Sequence, residues 1–419
     1  MRSLIPKYAK KYPTAARIPP IFAPLTLCVM VHLDNSAIAF RYKDDRQLNT
    51  AYRLFKAMSV PFMASVGKGL MRLALSLRLP VTGLFRATIF RQFCGGESLQ
   101  ECLGSVSTLH KFNVMSYITY AAEGKENQTE FERSVKELVR VISSIKDQPA
   151  IPFAVFKITS MASYDFLEKV SSGVQLTEAE QKEWEAVRRR VDAVCKAASD
   201  AGKPINVDAE ETWIQPALDQ LTEEMMAKYN RERTLVFNTF QMYRKDRLAF
   251  LRTSWEKANR EGYHFGAKLV RGAYMEKERV RAEQMGHPSP IHDTKEDTDK
   301  AYDEAVRFCL DHLEGNLLLM GTHNANSITK LTEEMEKRNI SKEDPRIFTA
   351  QLLGMSDNIT FNMANEGYHS VKYVPFGPIR EVIPYLLRRA DENSSVQDQT
   401  GRELHLLEKE IQRRKTEHK

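Results

Sequence analysis

The sequence predicts an α/β protein built as a (β/α)8 TIM-type barrel with an N-terminal helical arm. Three observations lead there. Eight short β-prone runs recur between Asn113 and Phe376. Most are continuous apolar or β-branched runs without strict alternation, the pattern of strands covered on both faces of a parallel sheet. Charged segments with apolar residues near helical spacing separate them, such as EDTDKAYDEAVRFCLDHLE from Glu296. A doubly wound sheet is the alternative, but no G-x-G-x-x-G follows any of the runs, which counts against a Rossmann dinucleotide site.

Each element is readable in turn. Residues 1–30 carry Arg2, Lys7, Lys10, Lys11 and Arg17 and no acidic residue. The apolar run PPIFAPLTLCVMVHL from Pro19 is too short and too interrupted by proline to span a bilayer. Such a start reads as a transit or signal peptide, or as a misassigned start upstream of Met30, and is expected outside the folded core. Residues 31–108 read as an arm of short helices rich in Leu, Met, Ala and Arg, broken at Pro61 and Pro80. The barrel is expected over 109–398. Its strands are NVMSYITY from Asn113, IPFAVFKI from Ile151, PINVDAE from Pro204 and TLVFNTFQ from Thr234, then GAKLVRG from Gly266, NLLLMGTH from Asn316, RIFTAQLLG from Arg346 and SVKYVPF from Ser370. Residues 399–419 read as a charged helix or tail.

Composition narrows the function classes. The 61 basic and 55 acidic residues are mixed along the chain, so the net charge of +6 forms no single patch of the kind nucleic acid needs. Attraction to an anionic membrane surface remains open. The five cysteines form no C-x-x-C, no metal spacing and no disulfide framework, which fits a reducing compartment and predicts no metal.

Barrel enzymes place their sites at the C-terminal ends of the strands. Polar residues gather there on seven of the eight runs: Lys157; Asp208, Glu210 and Glu211; Asn238 and Gln241; Lys268, Arg271 and Tyr274; Thr322, His323 and Asn324; Gln351; Tyr373. Each alone has a structural reading, as a cap or a buried hydrogen-bonded group. Together they are hard to explain by packing. Near the end, YLLRRADEN places Tyr385, Arg388, Arg389 and Glu392 on one helix face. That face is either a solvated ion-pair surface or a guanidinium fork braced by Glu392. Lys157, Lys268, Arg271, Arg388 and Arg389 exceed the nearby carboxylates Asp208 and Glu392, and buried cations need anions. A carboxylate substrate or a phosphorylated cofactor would supply the balance. No Ser-His-Asp set, P-loop or zinc ligand set stands out.

The motifs YLLRRADEN, FGAKLVRGAY, INVDAEETWIQP, GTHN and QLLGMSD, in this chain over roughly residues 85–410, closely resemble proline dehydrogenase, the FAD-dependent first enzyme of proline catabolism. The resemblance implies the monofunctional form, without an aldehyde dehydrogenase domain. It implies that Arg388 and Arg389 bind the proline carboxylate, with Glu392 orienting an arginine and Lys157 on the carboxylate side. Tyr373 and Tyr385 would pack on the pyrrolidine ring, Leu352 would form the other apolar wall, and Asp208 would anchor Lys157 or a tyrosine hydroxyl. Asn238, Lys268, Val270, Arg271, Gly272, Ala273, Tyr274, Thr322, His323 and Asn324 would hold non-covalent FAD. Glu123 would pair with an arginine of the final helix and close the site.

The implied reaction passes a hydride from proline C5 to flavin N5, giving Δ1-pyrroline-5-carboxylate, and a membrane quinone then takes the electrons. No residue stands out as the base, which leaves water. Peripheral membrane contact follows, in the bacterial cytoplasm at the inner face of the membrane or, alternatively, in the mitochondrial matrix. The oligomeric state is left open. Four positions depart from the family pattern: the Lys268 and Arg271 charges are exchanged, Asn238 stands for a common Gln, and Thr119 for a common Asp. The rivals are an FAD barrel acting on hydroxyproline or another cyclic imino acid, which the bulk of Tyr373 opposes, and a catalytically inactive binding barrel.

Overall fold

The computed structural model describes residues 31–59, 86–120, 126–379, 381–383, 386 and 397–417. All eight β-prone runs carry a strand. They are β1 (Met115–Tyr120), β2 (Ala154–Phe156), β3 (Ile205–Val207), β4 (Val236–Gln241), β5 (Gly266–Val270), β6 (Leu317–Gly321), β7 (Ile347–Leu352) and β8 (Ser370–Phe376). The sheet runs β1-β8-β7-β6-β5-β4-β3-β2, parallel at every pair. No ladder joins β1 to β2 among the described residues, but Ser116 N–H donates to Ala150 O at 2.8 Å across that seam. Pro152 has no N–H to donate, which helps explain why the run from Ile151 yields a strand of only three residues. The barrel is nearly closed.

Two layers of core follow from the pleat. Outward residues such as Ile118, Val207, Phe240, Leu269, Met320 and Val374 join Val135, Leu138, Val191, Leu221, Val306 and Leu331 of the surrounding helices in one apolar cluster. Several of these helices start at side-chain caps, as at Asn127 and Thr177. Inward residues fill the barrel. The Phe153 ring lies 5.1 Å from Tyr117, 5.6 Å from Phe237 and 5.3 Å from Phe348. This aromatic layer plugs the lower barrel and gives the cleft above it a floor.

The arm helix Asp45–Met58 buries Leu48, Ala51 and Phe55 in the same cluster as Leu406 and Leu407 of the final helix, Gln397–Glu417. Tyr52 donates to Glu408 at 2.9 Å, and Arg414 pairs with Asp45 at 2.8 Å. The charged C-terminal stretch is therefore a docked helix. Among the described residues no helix is long and apolar enough to cross a membrane.

Candidate active site

Above the aromatic floor, a cavity of about 520 Å³ opens at the C-terminal ends of the strands. Strand alternation decides what lines it. On β4 the inward residues are Phe237, Thr239 and Gln241. Thr239 lies beside Lys268 of β5, which lies beside Leu319 of β6. Large rings occupy the lower positions, and polar groups occupy the upper ones.

Lys268 is buried, and its Nζ donates to Asp208 Oδ1 at 2.7 Å. The same ammonium lies 5.6 Å from the ring centres of both Tyr117 and Tyr373, within cation–π range. Lys157 donates to the Tyr274 hydroxyl at 3.0 Å and lies 3.9 Å from Glu210 Oε2. Glu210 is only 4% exposed and is held by Thr159, whose hydroxyl donates to it at 2.7 Å and whose backbone N–H donates at 3.3 Å. Burial pushes the Glu210 carboxyl up to about 7 despite the opposing charge of Lys157. Burial likewise pushes the half-buried Tyr274 hydroxyl up.

At the other end Arg271 is tied down. It bonds Asp299 and the Thr322 hydroxyl, both at 2.7 Å, and Ser327 at 3.0 Å, and lies 4.4 Å over the Tyr302 ring. Thr322 accepts from Asn324 N–H at 3.1 Å. The Asn324 side chain in turn caps the helix Ala325–Lys337. That N-terminus, with Lys295 and Arg402, borders the cavity. Gly272 sits at φ +143°, and a Cβ there would fall 2.4 Å from the Tyr243 ring. Only glycine lets the chain turn past Tyr243 into the cleft.

The structure brings Lys157, Asp208, Lys268, Val270, Arg271, Gly272, Ala273, Tyr274, Thr322, His323, Asn324, Leu352 and Tyr373 to this one cavity. Glu123, Tyr385, Arg388, Arg389 and Glu392 lie outside the described residues. Two expectations need correcting. Asn238 does not face the cavity; it is 1% exposed on the outer face of β4, with its amide on Asp219 at 3.0 Å. The glutamine of the cleft is Gln241, three residues on, which donates to Glu210 O at 2.6 Å. Its signal was the strand alternation itself: Thr239 and Gln241 share a face that Asn238 lacks. Second, Asp208 pairs with Lys268, while Lys157 faces Tyr274 and Glu210. Lys295, Arg402 and Tyr117 also line the cavity without having been singled out.

The donor set suits a phosphate-bearing cofactor. At one end the N-terminus of Ala325–Lys337, Lys295 and Arg402, the last two paired with Asp299 and Asp34, border the cavity and would suit an anion. Tyr117, Leu352, Tyr373 and the Lys268–Asp208 pair form a mostly apolar wall with one embedded charge pair at the other. Fold and site together define a (β/α)8 barrel of the enzyme type, with its polar cleft at the strand C-termini.

The family model for proline dehydrogenase matches residues 102–402. Proline dehydrogenase 1, mitochondrial, of Homo sapiens is 42% identical over 243 residues, 57% of this chain and 40% of that protein. The carbapenem antibiotics biosynthesis protein CarD of Pectobacterium carotovorum is 32% identical over 322 residues, 77% of this chain and 83% of that protein. Among solved structures, proline utilization A from Bdellovibrio bacteriovorus, inactivated by N-propargylglycine, aligns with a TM-score of 0.67 at 20% identity, over 86% of this chain and 38% of that one. The matches span 37% of the Drosophila melanogaster relative and 40% of the human one. The chain belongs to the proline dehydrogenase family.

Proposed function

We propose that this protein oxidises L-proline to Δ1-pyrroline-5-carboxylate with non-covalently bound FAD and passes the electrons to a membrane quinone. The observation that supports the reading is that residues of four of the family's motifs, INVDAEETWIQP, FGAKLVRGAY, GTHN and QLLGMSD, line one cleft together with Lys157 and Tyr373. Gln241, Lys268, Val270, Arg271, Gly272, Ala273, Tyr274, Thr322, His323 and Asn324 would hold FAD. Lys295 and Arg402, with the N-terminus of Ala325–Lys337, would meet its phosphates. Bound there, FAD supplies the hydride acceptor.

The chain's own residues supply orientation and charge. Lys157, steadied by Tyr274, presents an ammonium to the proline carboxylate. Arg388 and Arg389 complete that grip, with Glu392 as brace; here the support is the sequence motif. Tyr373 and Leu352, with Tyr385, sandwich the ring and exclude water from C5. Lys268 keeps positive charge beside the wall, moderated by Asp208. Glu210 offers a place near Lys157 where a proton can rest at neutral pH. Glu123 would close the mouth. The acid-free basic start and the relatives named mitochondrial favour the matrix side of a membrane over the bacterial cytoplasm, with peripheral membrane contact.

The test is an anaerobic titration of the purified protein with L-proline, followed by visible absorbance. Bleaching of the flavin band by proline, and far less by hydroxyproline, is the expected result. A protein that holds no flavin after FAD is added overturns the cofactor. A flavin band that proline leaves untouched overturns the substrate.

A further inference from the structure

Behind the cleft wall lies a buried charge cluster that the reaction does not use. Leu352 at the end of β7 and Met355 in the turn after it line the cavity, and the turn ends at Ser356, where the helix Asp357–Asn365 begins. Ser356 has φ +49° and ψ +46°, a left-handed backbone that non-glycine residues adopt only when their surroundings enforce it. Two side chains do so. Lys372 of β8 is fully buried; its Nζ donates to Met355 O at 2.5 Å and to Leu352 O at 3.4 Å, and pairs with Asp357 Oδ1 at 2.9 Å. Glu403 of the final helix, 6% exposed, accepts the Ser356 N–H on Oε1. Tyr42 and Lys43 of the arm complete the set, 2.7 and 3.7 Å from Asp357 Oδ2. Two acids thus face two lysines in a sealed space, which makes the arrangement rigid rather than adaptable.

The cavity side of the same turn shows what this rigidity holds. The Ser356 hydroxyl lies 2.9 Å from His323 Nδ1, and His323 lines the cleft at the end of β6. A hydrogen bond at one ring nitrogen sets the tautomer and the direction of the other.

We propose that Glu403 is a positioning residue for the cofactor site. By holding Ser356 in its left-handed conformation it places the hydroxyl that orients His323, so that the final helix, whose Arg402 borders the cleft, also shapes it from behind. Glu403 acts through a backbone N–H, so an uncharged acceptor serves as well as a carboxylate. The affinity part of the test rests on the flavin reading above; the spectroscopic part does not.

The experiment compares the full chain with Glu403→Gln, Glu403→Ala and Ser356→Ala. Imidazole ¹⁵N signals of His323 are read on the cofactor-free protein, and FAD affinity is read by fluorescence quenching on reconstitution. Glu403→Gln should resemble wild type in both. Glu403→Ala and Ser356→Ala should shift the His323 signals and weaken FAD binding about tenfold. A Glu403→Ala protein that only melts earlier, with His323 signals unmoved, would reduce Glu403 to an anchor for its helix and overturn the proposal. If Glu403→Ala does not fold, Ser356→Ala decides, because it removes one oxygen and leaves the Glu403 contact intact. His323 signals and FAD affinity both unchanged in that variant also overturn the proposal. Shifted His323 signals in a protein that never binds FAD would support the positioning role while sinking the flavin reading.

Discussion

Replacing Glu210 with glutamine should change how stability responds to pH. Glu210 is nearly fully buried between Thr159 and Lys157, and burial lifts its carboxyl from an ordinary 4.5 to about 7. A carboxyl raised on folding keeps its proton in the folded state while the unfolded chain has already lost it. The unfolded state therefore binds fewer protons between those two values, and stability falls as pH rises through that window. The full loss is about 3 kcal/mol, of which about 2 kcal/mol falls between roughly pH 5.5 and 7.5. Glutamine cannot ionise, yet its carbonyl can still accept from the Thr159 hydroxyl. Urea unfolding of both proteins across that range should show the wild type losing about 2 kcal/mol relative to Glu210→Gln as pH rises. Glu403, also raised to about 7 by burial, titrates in both proteins, and its neighbours Ser356, Asp357, Lys372 and Lys43 are not those of Glu210, so its contribution cancels. Parallel stability curves would refute the claim that a buried, shifted Glu210 stands beside Lys157.

Other outcomes follow from the same geometry. Lys268→Met leaves Asp208 without its cation beside a water-accessible cleft, and should cost about 2 kcal/mol in urea unfolding; adding Asp208→Asn should recover much of it. Gln241→Ala should weaken FAD binding and, because it removes a buried donor to Glu210 O, also cost about 1–2 kcal/mol. Asn238→Ala should likewise cost about 1–2 kcal/mol by removing a buried partner of Asp219, while FAD affinity holds. Equal FAD affinities in these two variants would undo the assignment of inner and outer faces on β4. Arg389→Met should weaken proline binding severely while FAD stays bound, since hydrogen bonds between charged partners contribute about 1.5–3 kcal/mol each. Unchanged proline affinity would remove Arg389 from the carboxylate grip.

The barrel was legible in the chain because strand-forming runs are local. A run such as GAKLVRG or NLLLMGTH is apolar on both faces wherever it sits, and its exit into polar residues marks the mouth of a barrel. Lys157, Lys268 and the Thr322–Asn324 stretch could therefore be placed at the mouth before any contact was known. Partners were not local. Asp208 and Lys268 are sixty residues apart in the chain, and only the ordering of β3, β4 and β5 puts them 2.7 Å apart while Lys157 meets Tyr274 instead. The facing of β4 depended on the phase of a two-residue alternation, which a motif match misses by one position as easily as by three; Asn238 and Gln241 differ in that way. The docking of the final helix on the arm, and the strained Ser356 between Glu403 and His323, arise from packing among segments that are distant in sequence. The chain by itself determined which residues have the chemistry. The tertiary structure decided which of them share a face, which charge meets which, and which are held from behind, because those depend on distances that no local pattern encodes.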